Sequence, residues 1–130
     1  MEKLQAQAVE RAKKNLIERA QQINGFTVVK AVLPIEPAAA KDLVFKIREA
    51  IGEKLIAVIG STAGNKPLLT VMLSDDMVKD HNLNAGQMVR EAAKLIQGGG
   101  GGQPHFASAG GKNIDGITAA VEKVVELGVN

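Results

Sequence analysis

Residues 98–113 have the sequence GGGGGQPHFASAGGKN, and this stretch constrains the fold more than any other part of the chain. No hydrophobic core requires so many residues without side chains, so another group is expected to approach the backbone closely here. Consecutive glycines can adopt positive φ and turn their N–H groups into a concave anion-binding nest. A flexible linker is the alternative, but the ordered mixture of proline, phenylalanine and small residues that follows favours a structured loop. The glycines of the run are Gly98, Gly99, Gly100, Gly101 and Gly102.

A second glycine pair closes the same stretch. Gly110 and Gly111 precede Lys112 and the predicted start of a helix. The amino end of a helix offers free N–H groups and the positive end of its dipole, which suits phosphate. Because positive φ is costly for a β-branched side chain, such a residue at Gly101 or Gly110 is predicted to damage binding, folding or both. Residues 98–111 are therefore predicted to form a glycine-rich, anion-binding loop.

The composition is typical of one soluble folded domain, with 45% hydrophobic and 23% charged residues in a chain of 130. Cysteine is absent, which excludes disulfides and thiolate metal sites and favours a cytoplasmic location. The first residues do not resemble a signal peptide, and no apolar segment reaches membrane-spanning length, so no membrane partner is expected. A net charge of +2 is too small to indicate nucleic-acid binding by itself, so any basic surface must be local.

The amino-terminal segment is predicted to be a helical stem. No proline or glycine interrupts residues 1–23, and Asn24 and Gly25 then provide a helix stop. A narrow apolar stripe with helical spacing runs along it and includes Ala12 and Leu16. Because such a helix is longer than the radius of the domain that follows, part of it is expected to project and to mediate a homodimer. The alternative is that it folds back onto its own domain. The predicted division is residues 1–24 as stem and 25–130 as globular domain.

The centre of the chain alternates strand and helix patterns. Residues 26–33 are rich in β-branched residues, and a helix is predicted from Pro37 to Gly52. Residues 54–60 and 67–73 are almost continuously apolar, as interior strands are when both faces are covered. The short link between these two segments predicts an antiparallel hairpin.

The carboxyl-terminal half adds helices and one short strand. Asn84 and Gln87 are predicted to form a capping box for one helix, and Asn113 is predicted to cap the last helix, with Gly128 predicted to end it. Residues 106–111 are predicted to add a short strand. Together these elements predict an α/β (α+β) fold, in which a small mixed sheet is packed with helices and preceded by the stem.

No known catalytic motif is recognisable in the sequence. Asn113 stands where a Walker motif requires Ser or Thr, and no cofactor, metal or catalytic residue is predicted. One polar cluster consists of Asp75, Asp76, Asp80 and His81. Its carboxylates lie where a helix should begin, so helix capping is the favoured role. His105 beside the glycines is predicted either to contact a phosphate or ribose or to bond its own loop.

The glycine-rich stretch closely resembles the signature GG-x-GG-x-P-x-x-A-x-x-GG near the carboxyl terminus of alanyl-tRNA synthetases. The order of elements is similar to that of their DHH-associated C-terminal domain, and the resemblance covers roughly the whole chain. The matching positions are Gly98, Gly99, Gly101, Gly102, Pro104, Ala107, Gly110 and Gly111.

The resemblance implies a non-catalytic module that binds tRNA(Ala) at its outer corner, links the aminoacylating and editing centres, and contributes to dimerisation. The remaining domains of the synthetase are then partners as well. The predicted RNA contacts are backbone amides and a few cations that recognise shape; the cations are predicted from their positions and are not motif residues. The predicted contact set is Gly98, Gly99, Gly100, Gly101, Gly102, His105, Gly110, Gly111, Lys112, Lys66, Arg90 and Lys94.

Two alternatives remain open at this point. In the first alternative, the chain is a substrate-binding accessory domain of a DHH-type phosphoesterase or nuclease. The same domain family occurs beside DHH phosphoesterase domains, where the glycine loop helps to hold substrate. In the second alternative, the chain is a pure oligomerisation module that acts through its first helix.

Overall fold

The structure, a computed structural model, describes the backbone of residues 2–129 and the side chains of residues 10–129. The helices are α1 (Glu2–Glu18), α2 (Pro37–Ile51), α3 (Asp75–Lys79), α4 (Ala85–Ala93) and α5 (Ile117–Val129). The strands are β1 (Gln21–Ile23), β2 (Phe26–Leu33), β3 (Leu55–Ser61), β4 (Leu68–Leu73), β5 (Gly99–Gly102) and β6 (Phe106–Gly110). Short 3-10 turns span Ala63–Asn65, Lys94–Ile96 and Ile114–Gly116.

The six described strands form one mixed sheet in the order β1-β2-β3-β4-β6-β5. Strands β2 and β3 are parallel and are joined by α2, whereas the other neighbouring pairs are antiparallel. The predicted hairpin between β3 and β4 is confirmed, as are the mixed α/β class and the short strand after the glycine run. The strand β5 lies at one edge of the sheet, and β1 lies at the other.

Helices cover both faces of this sheet, and every residue of β3 is buried. On one face, side chains such as Ile56 and Val58 pack against α3, α4 and α5. On the other face, Leu55 and Ala57 pack against Leu43 of α2 and its neighbours. Burial on both faces explains why the sequence of β3 is continuously apolar rather than alternating.

The prediction of one helix over residues 1–23 is wrong in its second part. The helix ends at Glu18, and β1 then pairs antiparallel with β2. Asn24 and Gly25, predicted to stop the helix, form the hairpin turn, with φ of 54° and 85°. An Asn-Gly pair in left-handed conformation matches the twist of two flanking antiparallel strands, and that pairing outweighs the local helix preference.

The described part of α1 folds back onto the domain, as the alternative prediction stated. Ala12 and Leu16 pack against the cluster formed by α2 and the sheet. Lys46 of α2 donates a 2.6 Å hydrogen bond to Glu10. The apolar stripe of the stem is therefore in contact with its own domain over this part.

Of the amino-terminal caps predicted for α4 and α5, the structure contains the first but not the second. Asn84 Oδ1 accepts a 3.1 Å hydrogen bond from the Gln87 amide, as predicted. Asn113 does not cap a helix, because its side chain donates to the Leu95 carbonyl at 3.3 Å. Gly128 does not end α5 but lies buried within it, where a Cβ would approach Ile56 Cδ1 to 2.7 Å.

The acidic cluster at the start of α3 has a structural role. The single N–H of Lys54 is shared between the two carboxylate oxygens of Asp76, at 3.0 and 3.2 Å, and Asp75 pairs with Arg48 at 2.7 Å. His81 stacks edge-on against Phe26, with ring centroids 4.8 Å apart. Among residues 10–129, whose side chains the structure describes, no group of three or more potential metal ligands occurs.

The Asp76→Asn substitution is expected to remove about 1 kcal/mol of stability near neutral pH and little in acid. Burial raises the pKa of Asp76, but hydrogen bonds from the Ser74 side chain and backbone amides outweigh it, so the pKa lies below its ordinary value of 3.8. A depressed folded pKa adds stability above the unfolded pKa, and this stability is lost as pH falls through the folded value. Urea unfolding of both proteins from pH 7 to pH 2.5 measures this difference. Asp80→Asn, an exposed change in the next turn, is the control, and an equal loss at both pH extremes would contradict the assignment.

Candidate nucleic-acid interface

The glycine run is a β-strand rather than a nest. The strand β5 pairs antiparallel with β6, from Gly99 opposite Gly110 to Gly102 opposite Ala107. Gly102 alone among residues 98–102 has positive φ, and its value of 156° is close to extended. The expectation of positive φ is therefore wrong at Gly101 and Gly110, the two positions where a β-branched residue was predicted to be damaging for that reason. Residues 98–111 form a hairpin at the edge of the sheet.

Close backbone packing explains why glycine is required at some of these positions. A Cβ on Gly100 would lie 2.5 Å from Ala109 Cα, and one on Gly102 would lie 2.7 Å from the Phe106 carbonyl oxygen. In α4, a Cβ on Gly86 would approach the Gly102 carbonyl to 3.3 Å. By contrast, a Cβ on Gly99 meets nothing within 4 Å. The strand β5 therefore packs closely against both β6 and the first turn of α4.

The outer edge of β5 carries unpaired peptide groups. Gln103 N donates to the Phe106 carbonyl at 2.8 Å, and Leu73 N donates to the His105 carbonyl at 2.8 Å. Residues that hydrogen-bond to the neighbouring strand alternate with residues that do not along an antiparallel ladder. These two bonds therefore indicate that the N–H and carbonyl groups of Gly100 and Gly102 point away from β6. Gly102 lies close to Gly86 of α4, and Gly100 is exposed, so Gly100 presents accessible N–H and carbonyl groups at this edge. An exposed donor at this edge suits a phosphate oxygen.

Arg90 of α4 lies beside this strand, and Lys94 follows one turn later along the chain. Arg90 is exposed and has no carboxylate within 4.0 Å among the described side chains. Its Nη2 atom lies 3.2 Å from the position that a Cβ on Gly101 would occupy. Lys94 is 72% exposed and pairs with Glu91 at 3.3 Å. The Arg90 guanidinium is therefore held beside the glycine strand and is available to an anion.

The other predicted contacts lie in two cavities. Lys66 and Lys112 line a cavity of about 720 Å³ together with Gly98, Gly110 and Gly111.

His105 lines a second cavity, of about 380 Å³, with Gly101 and Gly102. Its wall also includes Phe106, which packs against Phe45 with ring centroids 5.1 Å apart, and Lys41, whose Nζ lies 5.9 Å from the Phe106 ring. Lys41 was not predicted as a site residue, and no local motif in the sequence marks it. The predicted set is thus divided between the strand edge and two cavities around the same hairpin.

Residues 24–127 match the DHHA1 domain family, and the chain belongs to that family. Within it, the chain is similar to alanine–tRNA ligases. It is 56% identical over 115 residues to the enzyme of Bacteroides fragilis and 46% identical over 116 residues to that of Parabacteroides distasonis. These matches cover 88% and 89% of this chain but 13% of each relative. The chain therefore spans a small part of the length of these enzymes.

Solved structures show the same relationship. The C-Ala domain of Aquifex aeolicus alanyl-tRNA synthetase superposes with a TM-score of 0.74 at 28% identity, over 85% of this chain and 98% of that domain. The resemblance to the C-terminal domain of alanyl-tRNA synthetases is confirmed. A DHH-domain structure, titled as a member of the s1p family of ribosomal proteins, shares the fold with a TM-score of 0.65 at 15% identity, over 96% of this chain and 31% of that one. No helix of the described chain is both long and apolar enough to cross a membrane.

Proposed function

We propose that this chain is the C-terminal module of an alanine–tRNA ligase, that it binds tRNA(Ala) at the outer corner, and that it couples the aminoacylating and editing centres. The observation that carries the proposal is the superposition on nearly the whole C-Ala domain, at 28% identity. The module itself is proposed to be non-catalytic and to act in the cytoplasm with the remaining domains of the ligase.

The glycine hairpin supports a mode of RNA binding that depends on shape. Gly100 offers backbone groups along an edge without side chains, so a phosphate chain can approach the peptide directly. Arg90 adds positive charge beside the strand, and Lys94, one turn further along the chain, is proposed as a second cationic contact. Phosphate contacts of this kind position a folded RNA without reading its sequence. Lys66, His105 and Lys112 are proposed as further contacts at the two ends of the hairpin.

Fluorescence titration of labelled tRNA(Ala) with the intact chain tests this proposal. The affinity is expected to fall as salt rises, with a slope of roughly −2 to −3 in log–log form, because about three phosphates are contacted. A tRNA of another identity with the same corner fold is expected to bind comparably. Absence of a complex in dilute buffer would contradict the proposal.

Dimerisation through the first helix is proposed as an additional role. The apolar stripe of this helix already packs against the cluster formed by α2 and the sheet, which leaves less apolar surface for a second copy. Light scattering of the intact chain and of a chain lacking residues 1–18 measures the oligomeric state directly. The deletion is placed before β1, because removing residues 1–24 would also remove an edge strand. A monomer in both cases would end the dimer proposal and leave tRNA binding untouched.

A further inference from the structure

The 720 Å³ cavity lies at a position where α/β proteins commonly bind ligands. The strands β2 and β3 are parallel, and β3 ends at Ser61 in the cavity wall. The helix α2 follows β2 and begins at Pro37 in the same wall. A crevice beyond the carboxyl ends of parallel strands, beside the amino end of the crossover helix, is the general binding position in such sheets.

Ser61 is an unexplained polar group in this cavity. Its side chain is buried, with 1% of the residue exposed, and its Oγ has no hydrogen-bond partner in the described chain. A buried hydroxyl without a partner is costly, and native structures rarely tolerate one without a ligand or other reason. Because Ser61 lines the cavity, its Oγ–H is positioned to donate to a bound molecule.

The amino end of α2 borders the cavity at Glu36 and Pro37 and contributes positive potential there. The helix has 15 residues, and the Glu36 side chain makes no capping bond. The amides of Ala38 and Ala39 have no acceptor within the helix, because they belong to its first turn. Lys66 and Lys112 contribute two ammonium groups from separate loops, while Glu36 is the opposing charge on the wall.

We propose that this cavity binds a phosphoryl group, with Ser61 donating a hydrogen bond, the first turn of α2 facing the anion, and Lys66 and Lys112 balancing its charge. The phosphoryl group belongs either to the backbone of an RNA or to a free phosphate ester. The inference shares Lys66 and Lys112 with the proposed tRNA contacts, but it goes beyond them because it rests on Ser61 and α2 and requires neither Arg90 nor the edge of β5.

The test uses the intact chain with inorganic phosphate and with AMP, followed by backbone amide NMR shifts and thermal stability. Both probes are expected to shift the amides of residues 36, 38, 39 and 61–66 saturably and to raise the melting temperature. Ser61→Ala is expected to weaken phosphate binding about tenfold, the loss of one charge-assisted hydrogen bond, without lowering the melting temperature of the free protein. Glu36→Gln is expected to strengthen binding a few-fold, because a like charge is removed.

Controls separate this site from its surroundings. Ser108→Ala removes a half-buried hydroxyl outside the cavity and is expected to leave phosphate binding unchanged. A Lys66→Met, Lys112→Met double variant, whose side chains are exposed, is expected to lose binding even if the Ser61 variant folds poorly. No saturable binding at millimolar phosphate, or equal binding by wild type and Ser61→Ala, would overturn the proposal.

Competition with tRNA distinguishes the two sources of the phosphoryl group. Displacement of labelled tRNA(Ala) by phosphate from the wild type, but not from Ser61→Ala, would support an RNA-backbone phosphate. Binding of AMP with no effect on tRNA affinity would support a free ester. If tRNA binds through Arg90 while phosphate fails to bind the cavity, this proposal fails and the proposed function stands.

Discussion

Replacing Gly111 by alanine is expected to cost about 3 kcal/mol or more, whereas the same change at Gly110 is expected to leave the free energy of unfolding nearly unchanged. A Cβ on Gly111 would overlap the Ile96 carbonyl and lie 2.7 Å from Ile96 Cγ1. The Ile96 carbonyl cannot easily retreat, because it accepts 2.8 Å bonds from the amides of Lys112 and Asn113. At Gly110 the first contact is the Pro67 carbonyl, at 3.9 Å.

Urea unfolding of the two variants provides the measurement, with amide NMR spectra to show whether Gly111→Ala still folds. The pair is matched, because both residues are glycines of the same motif and neither has positive φ. Alanine at Gly110 even gains slightly in strand preference. Equal stability of the two variants would show that the backbone approach at Ile96 is not tight in solution.

Those two neighbouring residues show what the sequence can and cannot predict. The motif correctly indicates that something lies close to the backbone, but it does not identify what. The sequence favours an anion and positive φ at Gly110, whereas the structure has extended backbone there and a carbonyl against Gly111. Which glycines are sterically required depends on distant segments, and only the tertiary structure brings residues 94–96 against residues 111–116.

The elements themselves were largely predictable, because local patterns determine them. Continuous apolar runs gave β3 and β4, Pro37 gave the start of α2, and the Asn84 cap gave that of α4. The strand β1 was not predictable from a local pattern, since a three-residue strand exists only through its pairing with β2. The tertiary arrangement also determines the cavity, where Ser61 meets the start of α2, and no local pattern marks a hydroxyl as unpartnered.

Reversing the charge of Arg90 with glutamate is expected to weaken tRNA(Ala) binding roughly tenfold or more, with the free energy of unfolding within about 0.5 kcal/mol of wild type. Arg90 is exposed, has no described ion pair, and lies beside the edge of β5. A carboxylate there would replace an attraction for phosphate by repulsion. The milder Arg90→Ala change is expected to reduce the magnitude of the slope of log affinity against log salt concentration by about one.

Arg19→Glu is the matched control, because it makes the same change in net charge on an exposed residue next to β1. The strands β1 and β5 are the two edges of the six-stranded sheet, about 24 Å apart at the usual spacing between strands, so Arg19 lies near the edge opposite β5. If the glycine edge holds the RNA, fluorescence titration should separate the two variants at every salt concentration. Equal losses for both would mean that net charge alone governs binding and that the edge of β5 is not the interface.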